Sequence, residues 1–249
     1  MHYHWSTRYR RSVSTSNTTL PEDQSVKAAR LLRAADELLV SRGARGFTVA
    51  DVAKRAHVSK GTVYLYWPTK EDLLIGLVGR GFLRLLDEVI RRIADDPDLA
   101  RPSRFCPLML EVVSSQPLLA ALQRHDDDLL GLLADHPRPV ALHDALGPSA
   151  VVGAVLPVWR RHGLADSDWD VDDQGFALHA LVTGFALSLM RSGATPSPAA
   201  DPLHVLAAAV TALLGPEHAG PGDVRAAAAS IVGFLGKGRA TAVDLIGGN

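Results

Sequence analysis

The chain has 249 residues, 47% of them apolar, with 26 basic side chains against 27 acidic ones, which gives ample length for a buried core and one or two domains. The charge is split: residues 1–70 hold 12 Lys and Arg against 5 Asp and Glu, and residues 71–249 hold 14 against 22. Such asymmetry suggests that one half meets a polyanion and the other does not.

Several classes are excluded at this level. Cys106 is the only cysteine, so an internal disulfide and the usual zinc spacings are ruled out, and a reducing cytoplasm is the expected compartment. The polar N-terminus lacks a secretory apolar core, and no window offers 18–20 uninterrupted apolar residues, so no membrane span is expected. Gly-x-Ser-x-Gly, Walker and dinucleotide-binding patterns are absent, and the ten histidines are scattered. Neither a catalytic role, a cofactor nor a metal is expected.

Residues 1–21 are rich in Ser, Thr and Asn and read as a disordered arm, with Arg8, Arg10 and Arg11 as a small basic cluster. A helix is predicted over 25–42. Ser25 caps it, Ala28, Leu31, Leu32, Ala35, Leu38 and Leu39 form its apolar stripe, and Gly43 stops it. Thr48 then caps a short helix, with Asp51 three residues on in a capping-box arrangement. His57-Val58-Ser59 breaks the pattern. Ser59 caps a second short helix over Lys60–Tyr66, which Pro68 stops, and Thr69 caps a third element with Asp72 as its acid. Two short helices joined by a three-residue turn make a helix-turn-helix, whose second helix enters the DNA major groove. Phe47 and Trp67 are expected to fill the core beneath it.

The second helix is too polar to be buried, and Gly61 near its start weakens it while permitting close backbone approach. Lys60 and Thr62 are the candidate base contacts, because Lys donates to guanine acceptors and a Thr methyl meets a thymine methyl. Tyr64 and Tyr66 carry hydroxyls on stiff rings suited to phosphate. Thr48 and Ser59 stand at helix N-termini, where a hydroxyl and free N–H groups favour phosphate. Lys70 is expected to reach phosphate from the start of the next helix. The candidate DNA-binding set is therefore Thr48, Ser59, Lys60, Gly61, Thr62, Tyr64, Tyr66 and Lys70.

Residues 28–74, about one fifth of the chain, resemble the DNA-binding domain of the tetracycline-repressor (TetR) family of bacterial transcription regulators. The resemblance spans a helix, a Gly-bearing loop, the helix-turn-helix in FTVADVAKRAHVSKGTVYLYWPTKEDLL and a capped fourth helix. It implies a phosphate clamp at Tyr64. It also implies a homodimer on a palindromic DNA operator, and a larger helical domain that binds a small-molecule effector and dimerises through its last two long helices.

A long helix is predicted over 71–96, then helices over 104–115 and 118–133, with His136-Pro137-Arg138-Pro139 as a stiff connector. Asp126-Asp127-Asp128 beside His125 reads as a solvated face, since consecutive helical side chains diverge. Residues 140–163 are helical with a break at Gly147-Pro148. The acids from Asp166 to Asp173 imitate a calcium loop but lack its Gly and Glu, so they read as caps for a very apolar helix over 170–191. Helices over 202–214 and 223–235 follow, and the Gly-rich tail 236–249 is expected to fray. Candidate pocket residues are Phe105, Met109, Leu110, Trp159, Phe176, His179, Thr183 and Met190; His179 and Thr183 are placed to orient a ligand or to satisfy each other.

The sequence therefore predicts an all-α chain. Residues 1–21 are a disordered arm, 22–70 a three-helix helix-turn-helix DNA-binding domain, 71–235 a larger helical ligand-binding and dimerisation domain, and 236–249 a flexible tail. The predicted function is a ligand-responsive transcriptional repressor. An activator and a ligand-independent architectural DNA-binding protein are the alternatives.

Overall fold

In the computed structural model the described residues are 20–115, 137–190 and 201–247, and all of their regular structure is helical. The helices are numbered here in chain order: α1 (Pro21–Gln24), α2 (Val26–Arg42), α3 (Val49–Arg55), α4 (Lys60–Tyr64), α5 (Lys70–Asp95), α6 (Pro102–Ser114), α7 (Pro137–Leu146), α8 (Pro148–Arg161), α9 (Val171–Met190), α10 (Pro202–Leu214) and α11 (Pro221–Gly247). A 3₁₀ turn, Pro97–Ala100, joins α5 to α6. Of the expected arm over 1–21, residues 1–19 lie outside the described residues, as do the helix over 118–133 and the His125–Asp128 cluster; Leu20 is buried and Pro21 opens α1.

Local signals set the first four boundaries. Ser25 Oγ accepts from the Ala28 N–H, and Gly43 closes α2 at φ 71° with its N–H on Leu39 O. At α3 the capping box is complete: Thr48 Oγ1 accepts from Asp51 N–H, and Asp51 Oδ2 accepts from Thr48 N–H at 2.7 Å. The Thr48 hydroxyl and then the Thr48 N–H, both donating to Asp51 Oδ2, lower the Asp51 pKa. Ser59 caps α4 and Thr69 caps α5. His57 turns the chain between α3 and α4 at φ 54°, a left-handed conformation that L-residues adopt at a cost. The second motif helix is shorter than expected, ending at Tyr64 rather than Tyr66.

Two main cores share α5. Leu31, Leu39, Phe47, Val52, Val63, Trp67, Leu73 and Leu77 pack α2, α3, α4 and the start of α5 into one cluster. Leu86, Val89 and Ile93, further along α5, join Phe105, Leu156, Trp159, Leu178, Leu206 and Ile231 in the other. Trp159 is fully buried, donates its indole N–H to Ala100 O at 2.7 Å and meets the Phe105 ring edge-on at 5.5 Å. At about 1.5 Å per residue α5 is a rod of roughly 39 Å that belongs to both cores.

The C-terminal half departs from expectation in two places. The supposed connector at 137–139 is the first turn of α7, where prolines fit because no intrahelical N–H partner is lost. The supposed tail is the second half of α11, which runs unbroken to Gly247. One of its glycines, Gly238, serves packing, while Gly222, Gly233 and Gly236 face open space. A Cβ on Gly238 would overlap the Leu146 side chain, and α11 lies along α5 and against α7.

The break at Gly147-Pro148 is present, with Gly147 as N-cap and Pro148 in the first turn of α8. The stretch Val140–Arg161 is apolar and long enough to cross a membrane by composition. That break divides it, and Leu142, Leu146, Val151, Val155, Leu156 and Trp159 are buried within the protein, which makes it a core element. The acids before α9 act as expected: Asp170 Oδ1 accepts from the N–H groups of Asp172 and Asp173.

Candidate nucleic-acid interface and effector cavity

The reading surface is α4 and its flanks. Val63 is wholly buried and anchors the helix on the core, which turns Lys60, Gly61 and Tyr64 outward. Ser59 Oγ accepts from Thr62 N–H at 3.2 Å and lies 2.8 Å from Thr62 Oγ1, so the cap also fixes the Thr62 rotamer. Lys60 Nζ rests 5.6 Å from the Tyr64 ring centroid, a cation–π contact that leaves the ammonium accessible. Among the described residues a Cβ on Gly61 would meet only Ser59 Oγ, at 3.8 Å. The fold itself does not require glycine there.

Thr48 remains exposed, with its hydroxyl donating to Asp51 Oδ2 at 2.7 Å. Arg55, at the end of α3, pairs with Glu37.

Two expected contacts are placed differently. The Lys70 ammonium donates to Ala44 O and Phe47 O, both at 2.6 Å, and lies over the Phe47 ring at 4.7 Å. It tethers the loop between α2 and α3 to α5, because the loop carbonyls converge where the side chain passes, and it does not stand free for phosphate. Tyr66 is half-buried, and its hydroxyl lies 2.6 Å from Ser25 Oγ, which ties α4's exit to α2. Sequence reasoning also missed Leu65, 82% exposed beside Tyr64 at 42%. Its only sequence signal was an apolar residue just past the recognition helix.

A second feature lies in the C-terminal core. A cavity of about 740 Å³ is walled by α5, α6, α7, α8 and α9, with Leu235 of α11. Six expected residues line it: Phe105, Met109, Leu110, Trp159, His179 and Thr183. Phe176 does not, being 75% exposed. Gly175 takes the inward place against Leu156 and Val152, and the next residue is rotated about 100° away. The Met190 side chain lies outside the described residues.

Unexpected wall residues include Val78, Phe82, Leu142, His143 and Leu146, since α5 was read only as packing and the helix over 140–146 was given no place in the pocket. Polar side chains in the described wall are His143, His179, Thr183 and Cys106; charged ones are absent from it. His179 Nδ1 lies 3.4 Å from Ser149 Oγ, so its partner is in α8. The Cys106 thiol pKa is pushed up to about 12 by burial and, secondarily, by the negative charge of Glu217. Among the described residues no group of three or more His, Cys, Asp or Glu side chains could hold a metal.

Residues 31–77 match the family model of bacterial regulatory proteins of the tetR family. The chain is also 32% identical over 150 residues to an uncharacterised HTH-type transcriptional regulator of Mycobacterium tuberculosis, across 58% of this chain and 72% of that one. The chain belongs to the TetR family.

Other relatives of this TetR-family chain match less of their length. An uncharacterised HTH-type regulator of Bacillus subtilis, YvdT, is 26% identical over 121 residues, 47% of this chain and 58% of its own. The fatty acid metabolism regulator protein of the same organism is 36% identical over 70 residues, 28% of this chain and 34% of its own. The fold is shared with a TetR-family regulator of Mesorhizobium loti at a TM-score of 0.53 and 18% identity, over 75% of this chain and 94% of that one. Reduced NemR of E. coli superposes at 0.50 and 22%, over 76% and 98%. The TetR family is regulatory rather than catalytic, in keeping with the lack of catalytic motifs in the sequence.

Proposed function

We propose that the chain is a dimeric transcriptional regulator, a repressor, that reads a palindromic operator through α4 and is released when a small uncharged lipophilic molecule enters the 740 Å³ cavity. The observation that carries the DNA-reading half is the outward set on α4. Lys60 and Tyr64 project from a helix anchored by buried Val63, Thr62 is held by its cap, and Gly61 is a glycine with no internal reason to be one. Lys60 and Thr62 read base edges, Tyr64, Ser59 and Thr48 fix the phosphates, and Leu65 adds an apolar contact. Lys70 and Tyr66 hold the motif together behind them.

The cavity supports the effector half. Its described wall is apolar apart from two histidines, a threonine and a protonated thiol. A charged ligand would lose its hydration there without a counter-ion from those walls. A relative 36% identical over 70 residues is named a fatty acid metabolism regulator protein, which fits an apolar effector. Release requires that the effector prefer the conformation that does not match the operator.

The outer face of α9 supports self-association. Phe176 is 75% exposed on it, with Trp169 just before. Two-fold pairing there would set two α4 helices on successive major grooves, about one helical turn apart.

Selection of the purified chain on a random duplex library tests the reading. It should enrich an inverted repeat, and sequences no different from the input would sink it.

A further inference from the structure

The last two turns of α11 have no part in that account, and their packing is specific. Thr241–Gly247 reaches the point where α5 leaves the helix-turn-helix. Ala242 is fully buried with Leu83 of α5, Leu142 of α7 and Leu20, and Val243, Leu245 and Ile246 pack around them. Ile246 lies directly on Gly79, where a Cβ would stand 2.5 Å from Ile246 Cγ1 and 2.7 Å from its Cδ1.

One residue further along α5, Arg80 is 7% exposed. It forks onto Glu22 of α1, with Nη2 to Oε2 at 2.6 Å, donates from Nη1 to Gly76 O at 2.8 Å, and lies over the Trp67 ring at 5.9 Å. A narrow cleft separates these groups, walled by Trp67, Gly76, Arg80 and Ile246 among others. Two of its wall residues, Val78 and Leu142, also wall the large cavity.

We infer that the end of α11, Leu142 of α7 and the Glu22–Arg80 pair form a latch that fixes the helix-turn-helix unit against the C-terminal core, and that the cavity's occupant opens it. The second clause rests on the cavity reading above.

Clearance carries the argument. Leu235 of α11 reaches the cavity wall, and beyond it α7 lies between the cavity and the later turns of α11. Leu142, His143 and Leu146 of α7 line the cavity, and the Leu146 side chain also meets Gly238, with no room there for even a methyl group. A ligand that presses α7 outward therefore cannot be absorbed by slack at that seam. Close-packed helices answer such pressure by shifting to another arrangement. The shift is delivered to Ala242 and Ile246, and through Gly79 to the helix that carries the reading head.

Amide hydrogen exchange on the full chain tests both clauses, using Ile246→Ser, which weakens the contact, and Gly79→Ala, which pushes Ile246 away. Alanine is the better helix former, so lost protection in the second variant cannot come from a weakened α5. Both should raise exchange at 76–83 about tenfold or more and leave α2 and α3 unchanged. Unchanged exchange at 76–83 would overturn the latch, and so would a rise everywhere alike, which marks an ordinary core contact.

N-phenyl-1-naphthylamine, neutral and fluorescent only out of water, is the cavity probe. Bound probe with faster exchange at 241–247 supports the coupling. Bound probe with unchanged exchange there refutes it. No probe emission would remove the cavity reading and the coupling together, while the two variants still judge the latch.

Discussion

At the residue scale the interface divides into side chains that face outward and side chains that hold them. Thr62 is half-buried; its backbone N–H makes the cap bond to Ser59, and its hydroxyl adds only a solvent-exposed contact with Ser59 Oγ. Thr62→Ala should therefore leave the melting temperature almost unchanged, cost about 1–3 kcal/mol on the preferred duplex, and relax preference at one base position. Competition binding against single-position operator variants reads this out. Lys70 belongs to the holding group. Lys70→Ala removes two charge-assisted bonds to loop carbonyls and should cost about 1–2 kcal/mol of stability, seen as a lower denaturant midpoint without DNA. A Lys70→Ala chain as stable as the parent would return Lys70 to the phosphate contacts. Cys106, whose thiol holds its proton to about 12, should resist iodoacetamide at pH 8 in the folded chain and react quickly in urea. The linkage has a definite sign: from about pH 9 upward the unfolded chain ionises its thiol while the folded chain does not, so this residue's part of the stability falls as pH rises toward 12.

At the element scale, legibility followed the range of the forces. Ser25, Thr48, Ser59 and Thr69 each cap the helix their spacing indicated, because a cap is decided within four residues. Phe47 and Trp67 were legible as core for the same reason: the short apolar pattern admits one packing. The roles of Lys70 and Tyr66 were not, since both depend on partners 23 to 41 residues away. Gly238 of α11 misled for a related reason. Alone it weakens a helix, and only the closeness of Leu146 on α7 makes it favourable. Phe176 was lost to a rotation of one residue on α9. The turn between α3 and α4 offers a test of local strain. His57 sits at φ 54°, where a β-branched side chain fits poorly, so His57→Val should destabilise by about 1–2 kcal/mol in urea denaturation and His57→Gly should not.

At the scale of the whole molecule, α5 joins a compact reading head to a larger core with a cavity, and the proposed surface for a second copy is the face of α9 that carries exposed Phe176. Phe176→Asp probes that surface. The side chain is 75% exposed in the single chain, so the variant should fold normally yet sediment as a monomer and lose operator affinity. The central claim, a sequence-specific dimeric regulator, is met most directly by titrating the purified chain onto the DNA flanking its own gene and onto a scrambled duplex at physiological salt. The account predicts a preference of about a thousandfold or more, with two chains per duplex. Equal affinity for both duplexes, falling together as salt rises, would contradict it and leave a non-specific DNA-binding protein in its place.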